Sequence, residues 1–566
     1  MEVNRGNFFW MLPHMLQEAE TAQFVAIDIE MSGIASGYGH LTPIPDAYNK
    51  VKEAAEEYQV LQIGFTFIHY IEKTSEYTTR TFNCYVSPLF PKSHFNDALT
   101  RHLDRNFAVS ARSYTFLRHH GFNFIQALDN GIHYLSRKEQ RLAEEFCSFK
   151  DSENERIDPL TLDEETQHFY GEIREQIGAY VNSQNWGRPE VVIQNPYGKK
   201  LNGLQIRLIH QIVREEYPTC TAKRIPVGTM TGNISVTLLT PGAKVEAESR
   251  RQLNVDETKR LSGMQILLEA LSGGSFADRI DQEWVHHGNG LVPVGADSWN
   301  EFNKTFNFHQ CEANLKKNKP IIIGHNVFQD LAFIYHTFFE PLPPKIDDFL
   351  TTIHQLFPRI ADTKFMHARG RHLMEQDRTL KELSDYFTRQ KFPTIRHVSH
   401  PGDVAAGPHN AAYDSTITAT LFLRQACNLF DTNKHLSEVQ ETYYTPERRD
   451  SPGGRDTTRS RPAATSRMRD PANPFTILDE EEADVVGALS KWNVLSPDES
   501  LSRGSTPMTS PTLPLPLPLP KRNWQVVRKV ARPTKKTRSV PPWTDDFWEV
   551  YGNKTLIPGS GFVSLV

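Results

Sequence analysis

Phe24-Val25-Ala26-Ile27-Asp28-Ile29-Glu30-Met31 is an apolar stretch interrupted by two acids. It predicts a β-strand, in which residues i and i+2 share a face. Asp28 and Glu30 then point one way, while Val25, Ile27, Ile29 and Met31 cover the other side. Two carboxylates on one face of a buried strand repel each other and lose hydration. A divalent cation is the usual compensation, because hard cations prefer carboxylate oxygens. Read alone, the stretch is described equally well as an acid pair facing solvent at a sheet edge.

The 566 residues imply more than one domain, and a hydrophobic content of 38% supplies a sizeable core together with unstructured segments. The net charge of −5 carries no global nucleic-acid signature, so any basic surface must be local. Cysteines 84, 147, 220, 311 and 427 have no metal-ligand spacing and read as reduced residues of a cytosolic or nuclear protein. There is no signal-peptide pattern and no run of ~18 apolar residues, which predicts a soluble protein of the nucleus, the cytoplasm or both, without a membrane partner.

Five segments are expected. Residues 1–175 hold a helix at about 8–20, the Asp28 strand, and strands Leu61–His69 and Thr81–Val86 paired as an antiparallel hairpin. Residues 176–250 read as a small inserted α/β module, with strands at Val191–Ile193 and Asn233–Leu239 around an amphipathic helix, Gly203–Tyr217. Residues 251–435 resume the main domain. There Lys319–Gly324 reads as a strand buried on both faces, followed by helical periodicity through Leu331, Phe333, Ile334 and Phe338, and a later helix at Ala411–Leu429. Antiparallel strands continued by strand–helix units put the fold in the α/β or α+β class. Residues 436–520 have a Pro/Ser/Arg-rich composition that cannot fold, and Leu513–Pro520 is a polyproline-type segment able to recruit a partner. Residues 521–566 begin with eight Lys or Arg by residue 538, either a solvated linker or a nuclear-import or RNA-contacting patch. The segment ends in Trp543, Phe547, Trp548 and Tyr551, aromatics expected to dock back on the body.

Two further acids fall at strand-to-helix junctions. Gly324-His325-Asn326-Val327-Phe328-Gln329-Asp330 follows the buried strand, and His409-Asn410-Ala411-Ala412-Tyr413-Asp414 opens the later helix. An acid near a helix N-terminus suits the macrodipole and is unremarkable singly. Jointly, Asp28, Glu30, Asp330 and Asp414 with His409 suit two-metal phosphodiester chemistry. Two cations about 3.5–4 Å apart can hold both the attacking and the leaving oxygen, and a histidine of unperturbed pKa ~6.5 can take a proton from water.

The order Asp-x-Glu, Asp, His-x4-Asp resembles the histidine-type DEDD exonucleases. Asp28–Ile34, Met1–Phe8, Phe116–Tyr134, Ile323–Asn326, Phe357–Arg359, Asp362–Lys364 and His409–Asp414 are similar to segments of the poly(A)-specific ribonuclease family, within the CAF-type superfamily, over roughly residues 1–430. The resemblance implies a ribonuclease H-like mixed sheet flanked by helices, a small inserted Arg-xxx-His-like module and a largely disordered C-terminal region. It further implies that Asp28, Glu30 and Asp414 ligate metal, that Asp330 helps hold a second ion, and that His409 is the general base. The cofactor would be two divalent cations, Mg²⁺ or alternatively Mn²⁺, and the partner a single-stranded RNA 3′ end, with poly(A) preferred and 5′-AMP released. Ser32, Ile34, His325 and Asn326 would contact RNA, with Phe8, Phe116 and Phe124 as further wall residues. A homodimer is also implied. Trimming of small or non-coding RNA 3′ ends, a DNA exonuclease, and an RNA-binding scaffold of weak activity are the alternatives. The chain departs from the pattern at Arg207-Leu208-Ile209-His210, where two residues rather than three separate Arg from His, and at 275–315, which read as an expansion.

Overall fold

A computed structural model describes residues 1–35, 42–90, 103, 105–148, 157–182, 190–195, 198, 200–225, 233–239, 241–287, 297–369, 378–398, 407–432, 443–444, 539–557 and 560–565. The strands among them are β1 (Glu2–Val3), β2 (Phe24–Met31), β3 (Val60–Ile71), β4 (Glu76–Tyr85), β5 (Val191–Ile193), β6 (Cys220–Arg224), β7 (Ile234–Leu238), β8 (Ile321–Gly324), β9 (Ile360–Asp362), β10 (Thr394–Val398), β11 (Tyr443–Tyr444), β12 (Lys554–Ile557) and β13 (Gly561–Ser564).

The main sheet has seven strands in the order β1-β4-β3-β2-β8-β9, with β10 also beside β4. β2, β3 and β4 are antiparallel, whereas β8 and β9 continue the sheet parallel to β2. β1 and β10 share the outer edge of β4, at Asn83–Cys84 and Glu76–Arg80 respectively. The mixed sheet is the expected architecture. The β3–β4 hairpin is tighter than a link from residue 70 to 80 would be, because pairing runs on to Ile71 and Glu76, with Tyr70 against Tyr77 at 4.9 Å between ring centroids.

Strand alternation in β2 divides the core. Val25, Ile27 and Ile29 face one cluster, built with Met11, Leu12 and Met15 of the helix Phe8–Thr21 and Leu331, Ile334 and Phe338 of the helix Phe328–Phe338. Phe24 and Ala26 face another, with Ala419, Phe422 and Leu423 of the helix Ala411–Asp431. Each fully buried aliphatic or aromatic side chain of this kind contributes about 1.5–3 kcal/mol. β8 is buried along its whole length between β2 and β9, as its run of three isoleucines requires.

β5, β7 and β6 form a separate antiparallel sheet whose core takes Ile209 and Ile212 from the helix Gly203–Glu216. The helix Glu164–Asn182 packs into the same core through Phe169, Ile173 and Ile177, so a division at residue 175 cuts through it. β6 escaped the sequence because Cys-Thr-Ala-Lys-Arg lacks a run of large apolar residues, and its last two residues are exposed. Residues 297–317 supply two helices, Asp297–Thr305 and Phe308–Lys317, that pack on the N-terminal helix. Trp10 stacks on Trp299 at 5.2 Å and donates its indole N–H to Asn300 Oδ1 at 2.9 Å.

The proline segment Leu513–Pro520 and the basic run 521–538 lie outside the described residues. Beyond them, the docking expected of the C-terminal aromatics is found. Residues 539–557 and 560–565 are folded on the body, with Phe547, Trp548 and Tyr551 buried beside Phe422 and Phe365. The cause is the one that predicted docking, namely the cost of leaving several aromatics in water. No helix among the described residues is long and apolar enough to cross a membrane.

Candidate active site

Asp28 stands opposite Gly64 and Glu30 opposite Gln62, and the β2–β3 register shifts just after Glu30. The N-terminus of the helix Ala411–Asp431 crosses this part of the sheet. Two residues of β3 permit the crossing. Gln62 accepts the Ala411 N–H through Oε1 at 3.0 Å, and Gly64 leaves room for the Ala411 carbonyl. A Cβ at Gly64 would lie 1.9 Å from that oxygen. Gly64→Ala is therefore expected to displace the helix start and lower stability by about 1–3 kcal/mol. Thermal unfolding checks this, and a variant that melts with the parent would refute the close-approach argument.

The helix start is built locally. Asn410 caps it by accepting the N–H groups of Ala412 and Tyr413, and His409 before it adopts the left-handed region at φ 63°. That turn lets the His409 N–H donate to Asp414 Oδ2 at 2.9 Å. Asp414 and His409 are thus one unit, as their spacing suggested. Ligand atoms of Glu30, His409 and Asp414 all lie within 4.8 Å of one another.

Asp330 arrives from the next strand. β8 ends at Gly324, Asn326 turns through φ 58°, and Asp330 lies in the first turn of the helix that follows. The turn is held by Asp362 at the end of β9. Its carboxylate, fully buried, accepts the N–H groups of Asn326 at 2.9 Å and Lys364 at 2.8 Å, and the Thr555 hydroxyl at 2.5 Å. Asp362 is a fifth buried acid close to the site that sequence reasoning left without a role. Its N-cap position before Thr363 was the available signal.

Burial pushes the Asp28 carboxyl well above the usual carboxylate range, and Asp414, Asp330 and Glu30 push it further. Burial, then Asp414 and Asp330, act on Glu30 in the same direction. Burial and Asp362 raise Asp330. Asp414 is raised to about 6 by burial, against the opposing bond from His409. These four acids destabilise one another's charge, and all four are half-buried. The donor set of four carboxyls and an imidazole fits hard divalent cations. His409 is lowered to about 4 by burial and by His120, rather than standing near 6.5. Its ring packs against His120 at 4.3 Å and Phe116 at 4.6 Å. His120 went unnoticed because nothing in its spacing links it to residue 409.

The raised acids have a consequence for stability. Without a cation, the folded chain holds protons that the unfolded chain releases near pH ~4. The stabilisation from these groups is complete below that pH and is lost as pH rises through the folded values, about 6 for Asp414. The melting temperature with Mg²⁺ should therefore exceed that in chelator by a margin that grows from about pH 5 to about pH 7. A margin independent of pH would contradict the clustering.

The four residues expected to touch RNA differ. Ile34 is 51% exposed. Ser32 is wholly buried, donates to the Ala108 carbonyl at 2.7 Å and accepts the Gln59 N–H at 2.9 Å, so its hydroxyl is committed within the protein rather than to RNA. His325 is half-buried, with Nδ1 2.9 Å from Thr363 Oγ1, and Asn326 serves the turn before Asp330. Among the proposed wall aromatics, Phe8 is core, while Phe116 lies beside His409.

The chain is similar to the poly(A)-specific ribonuclease PARN of Homo sapiens, 27% identical over 75% of this chain and 62% of the relative. It is also similar to the pre-piRNA 3′-exonuclease trimmer of Bombyx mori, 20% identical over 75% of this chain and 70% of the relative. The chain thus spans about three-fifths of the length of the PARN relatives of vertebrates. Among solved structures it resembles Pop2p of S. pombe, with a TM-score of 0.31 and 11% identity, covering 74% of this chain and 89% of that one. The CAF1 family ribonuclease model matches residues 3–422, a span that contains β2, both strand-to-helix junctions and all four converging acids. On that match the chain belongs to the CAF1 family of ribonucleases.

Proposed function

We propose that the chain is a divalent-metal-dependent 3′-to-5′ exoribonuclease that shortens poly(A) tails and releases 5′-AMP. The observation that carries this reading is the convergence of Asp28, Glu30, Asp330 and Asp414 with His409, brought together from three separate regions of the sequence. Asp28, Glu30 and Asp414 would hold cations, and Asp330 would assist with a second. When bound, such ions neutralise the phosphate and stabilise charge on the attacking and leaving oxygens.

The protein's own groups account for the proton. Burial keeps His409 neutral near pH 7, so its imidazole can accept a proton from water. The water oxygen bonds to the terminal phosphorus and the P–O3′ bond breaks. The departing O3′ takes a proton from solvent to become the new 3′-hydroxyl of the shortened RNA, His409 returns its proton to solvent, and a nucleoside 5′-monophosphate leaves. The bond from the His409 N–H to Asp414 keeps base and acid in register through this step.

Preference for adenosine rests on similarity to the PARN relatives. A second reading, trimming of small-RNA 3′ ends, is favoured by similarity to the silkworm trimmer. The two share every catalytic residue, so substrate decides between them. RNA labelled at its 5′ end and tailed with adenosines is compared with a mixed-sequence tail, with Mg²⁺ or chelator. Metal-dependent shortening that stops at the end of the adenosines supports deadenylation, and equal shortening of both tails supports the trimmer. No shortening of either would reject both in favour of an RNA-binding scaffold.

A further inference from the structure

We propose that residues 539–557 are a working part of the catalytic centre, and that the Thr555 hydroxyl is a positioning group for Asp330, acting through Asp362. The inference rests on the metal-dependent reading above. The family match ends at residue 422, so it assigns this segment nothing.

The segment is interlocked with the sheet. The Val540 N–H donates to the Tyr77 hydroxyl at 2.8 Å, and the Trp548 indole N–H donates to the Pro541 carbonyl at 3.0 Å. Phe547, Trp548 and Tyr551 then fill the core behind β2 and β8. Asn553, in the left-handed region at φ 53°, extends the edge of β9. Its N–H donates to the Ile360 carbonyl at 2.8 Å, its Oδ1 accepts the Ile360 N–H at 2.9 Å, and its Nδ2 donates to the Pro358 carbonyl at 3.0 Å. Gly552 bridges to Ala361. This anchoring delivers Thr555, fully buried, to Asp362.

The contact is more than packing, because of what Asp362 holds. Its Oδ1 fixes Asn326, the residue that turns the chain from β8 toward Asp330. Its Oδ2 receives the Thr555 hydroxyl at 2.5 Å and only a long approach, 3.4 Å, from the Val327 N–H. Thr555 is therefore the principal donor to one oxygen of a fully buried carboxylate. A buried acceptor deprived of its donor costs about 1–3 kcal/mol and relaxes by seeking another. The groups within reach are the backbone N–H groups of the turn and of the helix at Thr363, so relaxation moves the turn and Asp330 with it. A shift of about 1 Å in such a group costs roughly 10²-fold in rate. A side chain needed only to fill space could be apolar, as its buried neighbours Leu556 and Ile557 are.

The test uses the full chain with Thr555→Val, close in shape but without the donor, and Thr555→Ser, which keeps it. Two readouts are taken: the Mg²⁺ concentration that half-completes the metal-induced rise in melting temperature and, at a temperature below all of the melting transitions, kcat and KM on an oligoadenosine-tailed RNA. In Thr555→Val the Mg²⁺ midpoint is expected to rise about tenfold and kcat to fall about 10- to 100-fold, with KM changed less than about twofold, and Thr555→Ser should restore both. A variant that melts lower but keeps the parent's Mg²⁺ midpoint and kcat overturns the proposal and leaves Thr555 as packing. Should Thr555→Val not fold, Thr555→Ala is read in the same way, and parental values there are equally fatal. A parent chain that neither cleaves RNA nor responds to Mg²⁺ would fail the nuclease reading instead.

Discussion

Asp28→Asn is expected to reduce RNA cleavage by at least roughly 10³-fold while raising the melting temperature of the metal-free protein. Both effects follow from the same geometry. Asp28 lies on a central strand, half-buried, where its charge is opposed by Asp414, Asp330 and Glu30. Asparagine keeps the size and removes the charge, so the folded state is relieved of repulsion and the strand pairing with Gly64 is untouched. A cation loses one of the carboxylates that would hold it, and the transition state loses the charge stabilisation that cation supplies. In Mg²⁺ the stability ordering should reverse, because the parent gains from binding and the variant gains less. Cleavage is followed by gel and melting by circular dichroism, each with Mg²⁺ and with chelator. A variant that cleaves normally would remove Asp28 from the site. One that melts lower in chelator would mean that the carboxyl has a structural partner and that the acids do not destabilise the apo fold.

His409→Gly should lower kcat by about 10²- to 10⁴-fold while leaving KM for RNA nearly unchanged. Glycine is the informative replacement because residue 409 sits at φ 63°, which glycine adopts without strain, so the N–H bond to Asp414 survives. The space left by the ring is walled by Phe116 and His120. Added imidazole should enter it and restore part of the rate in the variant, with no effect on the parent. A loss in KM equal to that in kcat, without imidazole rescue, would make His409 an RNA-binding group and leave proton removal to another residue.

Much of this site was legible in the linear chain for a definite reason. Strand alternation puts Asp28 and Glu30 on one face wherever the strand ends up, and the short spacing from His409 to Asp414 spans one helix start. Such relations are local, set by backbone geometry over a few residues. The strand Ile321–Gly324 was legible for a similar reason, since only burial on both faces suits three consecutive isoleucines. The shared order of acids carried the expectation that these pieces meet, and in the fold Asp414, Asp330 and Glu30 act on Asp28 while Glu30, His409 and Asp414 cluster within 4.8 Å.

What the tertiary structure decided is non-local. Ser32 follows the acids in sequence, yet it is sealed by Gln59 and Ala108, because the exit of β2 packs against a neighbouring segment that no pattern in the chain announces. Gly64 and Gln62 matter only because the helix at Ala411 happens to cross β3 there. Asp362 and Thr555 are 193 residues apart, and nothing in the composition of either segment pairs them. Local geometry repeats at fixed spacings and can be read along the chain. Which distant surfaces bury against one another depends on the packing of all of them together, so the sequence by itself determined the acid pairs and their elements, and the fold decided what supports them.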